Sequence, residues 1–368
     1  MSIVNFKYRI CFFLIITLTW LNPGYSNKTV TTFYYYHGRN YGSEAIYNPV
    51  IIIMNGGFGI LQISNRSNRI ADINFANGWK NVTYNLSHPF NTINRFGWDK
   101  FWRQEVIPSS VKLKQAQYYP NYKNHLFGGG FTYRAFLDWY RWYGFPQSTL
   151  WALSSWFAYH FLNEVVENNY YVGPNVDSIS DMYIFNTAGL LLFSFNHVNR
   201  FFANTLHMRD WSFMPGIDPV QKTIENIGQN FMIKIKLPFW DSWSYFNHWG
   251  THGMFGLSYQ RPNMTSISFA GGLVAKNLVN IENNSGVREQ TTTLIWTAGI
   301  FYDRENSLLV SLILSGTKGY KARLNIYPGI IKIGKLSPGF FFNLRKDNQA
   351  VMGLHFFYLL PGLAGRIK

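Results

Sequence analysis

The chain has 368 residues, of which 19% are aromatic and only 14% charged, with a net charge of +15 and a single cysteine, Cys11. Water-soluble domains carry about a quarter charged residues, so much of this surface is expected to meet something other than water. Cys11 falls in the leader described next, which excludes disulfides, thiolate metal sites and cysteine nucleophiles from the mature chain.

Residues 1–26, "MSIVNFKYRICFFLIITLTWLNPGYS", place Lys7 and Arg9 ahead of an apolar run that ends in a Pro-Gly break and small residues. This is the pattern of a secretory signal peptide cleaved after Ser26, and the run is short for a membrane span. Both basic residues leave with it, so the mature chain is expected to carry +13. A basic exported protein is drawn to anionic surfaces, so membrane lipid or lipopolysaccharide is the expected partner, and nucleic acid is not.

Residues 27–120 form a strand and loop region. "NPVIIIMNGGFGILQI" reads as one or two strands broken at Gly56-Gly57, and residues 79–120 read as loops and short helices with an aromatic surface.

Residues 121–208 read as a three-helix unit. The first helix covers 124–143, with His125, Gly128, Gly129, Thr132 and Phe136 on one side and Arg134, Asp138 and Arg141 on the other, a spacing that suits a solvated face. In the second, about 148–168, Leu153, Trp156, His160, Asn163, Glu164 and Glu167 share one narrow arc in an otherwise apolar helix. The usual amphipathic arrangement is thus inverted, and the polar stripe is expected in a protected seam. The third runs from about Ile179 to Phe201, with Ser178 as N-cap and Asp181 completing a capping box.

Residues 209–368 are expected to hold the strands, and from about residue 224 the pattern turns to period two. Eight segments alternate apolar with polar or small residues, "NFMIKIKLPF" and "TTLIWTAGIFY" among them, joined by connections such as "DREN", "TKG" and "KDNQ". The fold class expected is mainly β with an α-helical insertion: an antiparallel outer-membrane-type β-barrel of about 8–12 strands plus the three-helix unit. A soluble sandwich shows the same alternation. The ending "YLLPGLAGRIK" lacks the terminal aromatic residue that outer-membrane barrels often present to their assembly machinery, the other expected partner.

His125 with its glycines, then "LNEVVEN", then "DSISDMYIFNTAG", resembles an uncharacterised bacterial envelope family and, more distantly, VanZ-like and YfiM-like proteins. The resemblance spans about residues 121–205. It implies a helical unit associated with the bacterial envelope and no particular reaction.

Ionisable residues in so apolar a context need a partner. His125, Glu164, Glu167 and Asp181 are the candidate catalytic set, with the carboxylates as general acid and base. His160 and Glu164, at i,i+4, are candidate ligands of a divalent metal, although the sequence there is not H-E-x-x-H. Against this stands a packing role, in which the carboxylates accept hydrogen bonds that lock the helices together. His248 and His252 also have i,i+4 spacing, at a strand entry where an interfacial role is expected, and Lys234 and Lys236 suit a polar barrel interior or a solvated face. The reading that follows is a bacterial outer-membrane protein with an envelope or transport-like role. The alternatives are a membrane-embedded lipid-modifying hydrolase using the His/Glu/Asp site and a soluble periplasmic binding protein.

Overall fold

A computed structural model of the chain describes residues 32–110, 117–171, 173–282, 288–315, 317–356 and 361–367. The expected signal peptide, 1–26, lies outside the described residues. Tyr34–Lys368 belong to one compact unit.

The first third is helical. "NPVIIIMNGG" forms the helix Pro49–Gly57, followed by a 3₁₀ turn Gly59–Gln62, where strands were expected from its β-branched run. Local chemistry overrides that propensity: Asn48 Oδ1 accepts from the Ile51 N–H at 3.0 Å, and Pro49 occupies the first helical position. Helices Phe75–Ser87 and Pro89–Phe96 follow.

Among the described residues thirteen strands form one sheet: β1 (Arg209–Asp210), β2 (Gly216–Asp218), β3 (Thr223–Glu225), β4 (Phe231–Leu237), β5 (Trp240–Trp249), β6 (His252–Gln260), β7 (Thr265–Glu282), β8 (Arg288–Arg304), β9 (Ser307–Ser315), β10 (Tyr320–Ile326), β11 (Gly339–Arg345), β12 (Ala350–His355) and β13 (Gly362–Ile367). All eight expected strands are present. Five were not foreseen: β1, β2 and β3 are only two or three residues long, too short to show a period, and the polar residues of β5 and the glycines of β13 obscure the alternation. From β4 to β13 the strands form an antiparallel meander, and β13 then pairs in parallel with β2. The outermost members of the ladder, β1 and β3, are not paired with each other, so the sheet is not closed. What stands is a large, mostly antiparallel sheet with several helices. No helix among the described residues is long and apolar enough to cross a membrane.

The sheet's two faces differ sharply. On β8, Trp296 is 81% and Ile300 46% exposed, whereas Thr297 and Phe301 are buried. On β6, Phe255 and Leu257 are exposed beside buried Met254 and Ser258. The buried face holds an apolar cluster that includes Trp211, Phe246, Phe301, Tyr327 and Phe341. It also holds a bonded polar network: Ser268 Oγ donates to Ser258 Oγ at 2.8 Å, Asn226 Nδ2 to Asn325 Oδ1 at 2.7 Å, and Arg323 Nη2 to Ile227 O at 3.2 Å. Lys234 turns to this face and pairs with Asp303 Oδ2 at 2.6 Å, while Lys236 is exposed.

Candidate carboxylate–histidine site

The helix Ser148–Glu167 is inverted as its sequence suggests. Leu150, Trp151 and Phe157 are exposed, whereas His160 and Glu164 are buried. The helix Gly130–Trp142 departs from expectation. Arg134 and Asp138 face inward and are buried, their side chains 3.2 Å apart. Asp138 Oδ2 also accepts the backbone N–H groups of Tyr34 and Tyr35 at 2.7 and 2.9 Å. The i,i+4 spacing correctly gave the pair but could not say which side meets solvent.

Two π-helical turns shape the site. Asn121–Gly129 carries His125, and Ser180–Asn186 carries Asp181 and ends on Asn186. His125 Nε2 lies 3.1 Å from Asp181 Oδ2, and its Nδ1 lies 3.1 Å from Asn186 Oδ1. In an α-helix, residues five apart point about 140° away from each other. The i→i+5 bonding of a π turn stacks them instead, so Asp181 and Asn186 grip the same imidazole from one segment. The expected cap at Ser178 does not form: the chain is already helical at Asp177, and Asn175 Oδ1 accepts the Asp177 N–H at 3.2 Å. Asp181 is committed to His125 instead. The expected third helix also breaks at Phe195, after Ser194, before the short helix Asn196–Arg200.

Glycines let these segments meet. A Cβ on Gly189 would lie 2.4 Å from the Leu126 carbonyl oxygen, and one on Gly130 would lie 2.6 Å from that of Gly189. No larger residue permits this backbone approach, which sets His125 over Asp181.

One ligand atom each from His125, Glu164 and Asp181 lie within 4.8 Å of one another. Asn168 Nδ2 donates to Glu164 O at 2.9 Å and to its Oε2 at 3.3 Å, and Asn175 Nδ2 donates to Asn168 Oδ1 at 2.7 Å, so an asparagine chain buttresses the carboxylate. Burial, and then the neighbouring Asp177, Glu164, Glu167 and Glu105, push the Asp181 carboxyl well above its usual range. Burial lowers His125 to about 4. Both shifts favour a neutral pair, with the Asp181 hydroxyl donating to Nε2 and Nδ1–H donating to Asn186.

His160 lies beside His125 with ring centroids 5.7 Å apart and the rings tilted by 38°, and neither of its ring nitrogens has a hydrogen-bond partner among the described residues. Glu164 converges with His125 and Asp181, a group that does not include His160. A cavity of about 720 Å³ opens on the site, lined by His125, Asp181, Glu167 and Asp177 on one wall and by residues of β6, β7 and β8 on another. Glu167 therefore faces the cavity, whereas Glu164 and His160 are not among its lining residues. Asp177 and Glu105 were not singled out from sequence, and Asn186 entered only as a polar residue of the "DSISDMYIFNTAG" segment, with no role assigned. The i,i+4 spacing of Asp177 and Asp181 was a usable signal, whereas Glu105 lies in a distant segment with none. His248 and His252 lie on β5 and β6, and their Nδ1 and Nε2 atoms are 2.6 Å apart in a buried pair.

No family model, curated protein or solved structure matches this chain.

Proposed function

We propose that the chain is a bacterial outer-membrane β-barrel protein with a helical unit packed against it, serving the cell envelope. The observation that carries this reading is the apolar character of the exposed strand face, with Phe255, Leu257, Trp296, Ile300 and Leu314 outward, while the buried face mixes an apolar cluster with polar side chains such as Ser258, Ser268, Thr297 and Asn325, as suits a lipid-facing barrel. Two further features support it. The continuous segment Arg209–Asp218 pairs with β4 at its start and with β13 at its end, so one stretch of backbone touches both margins of the meander. At the β4–β5 and β6–β7 ends, Phe239, Trp240, Trp243 and Tyr259 form an exposed aromatic rim of the kind that sits at a membrane interface. The buried cluster around Trp211, Phe246 and Phe301 fills the enclosed face, which favours an envelope role over passage of solutes. The test is recovery in the outer-membrane fraction with heat-modifiable gel migration. A protein that is monodisperse without detergent and migrates identically heated or unheated overturns the reading.

A second reading, a lipid-modifying hydrolase, is favoured by the convergence of His125, Glu164 and Asp181 beside the unpartnered His160. These three side chains offer one imidazole and two carboxylates, a donor set suited to a divalent cation. Such a cation would polarise an ester and activate water. Metal analysis of the purified protein tests it: the wild type should carry about one equivalent, and His125→Ala none. A metal-free wild type after purification in divalent-supplemented buffer sinks it.

A further inference from the structure

We infer that the cavity beside the helical unit binds one zwitterionic phospholipid, its phosphate on Lys123 and its acyl chains along the outward face of β6–β8. The inference rests on reading that face as lipid-exposed, and it deepens that reading by naming a ligand. At about 720 Å³ the cavity is within the range of small-molecule sites.

Its walls are chemically divided. Phe255, Leu273 and Trp296 line it and also belong to the exposed apolar face of the sheet, so the cavity is continuous with the surface that would meet hydrocarbon. An amphiphile can therefore enter sideways without its chains crossing water. Opposite them stand charged groups of both signs.

Lys123, on the π turn Asn121–Gly129, lines the cavity and has no carboxylate within ion-pair distance among the described residues. Its ammonium lies over the Tyr119 ring, 5.0 Å from the centroid, and a Cβ on Gly253 of β6 would come within 3.2 Å of Nζ. The glycine thus leaves the ammonium accessible from the sheet side. An ammonium held in a half-apolar cavity favours a phosphate, which forms charge-assisted hydrogen bonds with it.

A purely anionic headgroup would also face Glu167 and Asp177 in the same cavity. A headgroup whose phosphate is followed by an ammonium meets both signs, which selects a phosphoethanolamine-type lipid over a phosphoglycerol one.

The test uses the full chain in a non-ionic maltoside detergent, titrated with dihexanoyl phosphatidylethanolamine and dihexanoyl phosphatidylglycerol, with binding read by native mass spectrometry. Heat-modifiable migration is recorded for every variant. The expected result is roughly tenfold tighter binding of the ethanolamine lipid, the contribution of about one charged contact. Lys123→Gln should weaken both lipids, Glu167→Gln should narrow the difference between them, and Gly253→Leu should block both. Glycerophosphoethanolamine and inorganic phosphate should not compete, which separates a lipid site from a free-phosphate site. Equal or reversed lipid preference, or unchanged binding in Lys123→Gln and Gly253→Leu with migration intact, overturns the inference. If migration is not heat-modifiable but the lipid still binds with this pattern, the barrel reading fails and the site stands. If migration is heat-modifiable and no lipid binds, the site fails alone.

Discussion

His125 and Asp181, 56 positions apart in sequence, approach to 3.1 Å between Nε2 and Oδ2, and Asn186 Oδ1 holds the other ring nitrogen, Nδ1, at the same distance. The ring is thereby fixed in orientation by two groups of a single π turn.

If this arrangement holds a cation, the ligand and its support should separate experimentally. Asp181→Asn is expected to abolish metal binding. Asn186→Ala, which only frees the ring, should weaken it by about 10–100-fold. Divalent-ion titration of both variants checks this, with heat-modifiable migration as the folding control. Equal affinity in all three proteins would remove Asp181 and Asn186 from the site.

The exposed face of β8 and β9 is expected to respond to charge as a lipid-facing surface does. Ile300→Arg and Leu314→Arg should each destabilise the protein refolded in lipid vesicles, by about 2–4 kcal/mol if they lie near the bilayer midplane. A face that meets water would register within about 0.5 kcal/mol in the same urea titration.

Lys234 and Asp303 form a pair whose side chains are 6% and 0% exposed, 2.6 Å apart. Asp303→Leu or Lys234→Met alone leaves a buried charge without its partner and should cost about 3–5 kcal/mol. The double variant Lys234→Met with Asp303→Leu should recover much of that loss. A double-mutant cycle by denaturant unfolding measures the coupling, and additive single effects would contradict it.

Glu44 anchors the start of the helical region. Its carboxylate accepts from Arg39 Nη1 at 2.7 Å, from the Arg39 N–H at 3.2 Å and from the His37 N–H. Burial alone would raise this carboxyl, but the His37 and Arg39 contacts win and hold it at about 2, below its ordinary 4.5. A depressed folded value means the stabilisation is fully present above pH 4.5 and is lost as pH falls towards 2. The contribution is about 3 kcal/mol. Acid unfolding of Glu44→Gln should lose this part of the pH dependence, and an unchanged acid limb would show that other carboxylates carry it.

Much of the architecture is legible in local pattern. Period-two alternation marked eight strands, and the narrow polar arc on Ser148–Glu167 marked His160 and Glu164 as buried groups in a helix with an apolar surface. Local pattern failed where a neighbour distant in sequence decides the outcome. Arg134 and Asp138 read as a solvated pair, yet the Tyr34–Tyr35 backbone closes over Asp138. Pro49–Gly57 reads as a strand by its β-branched run, yet Asn48 and Pro49 start a helix.

The sequence by itself determined the periodicities, and hence which side chains share a face, because side-chain direction follows from backbone geometry one residue at a time. Only the tertiary structure decided which of the two faces is buried. Alternation is identical for a sheet turned either way, and burial depends on what packs against it. The meeting of the two π turns belongs to the same class, because it depends on the close backbone approach at Gly130 and Gly189. That contact brings His125, Glu164 and Asp181 to one point.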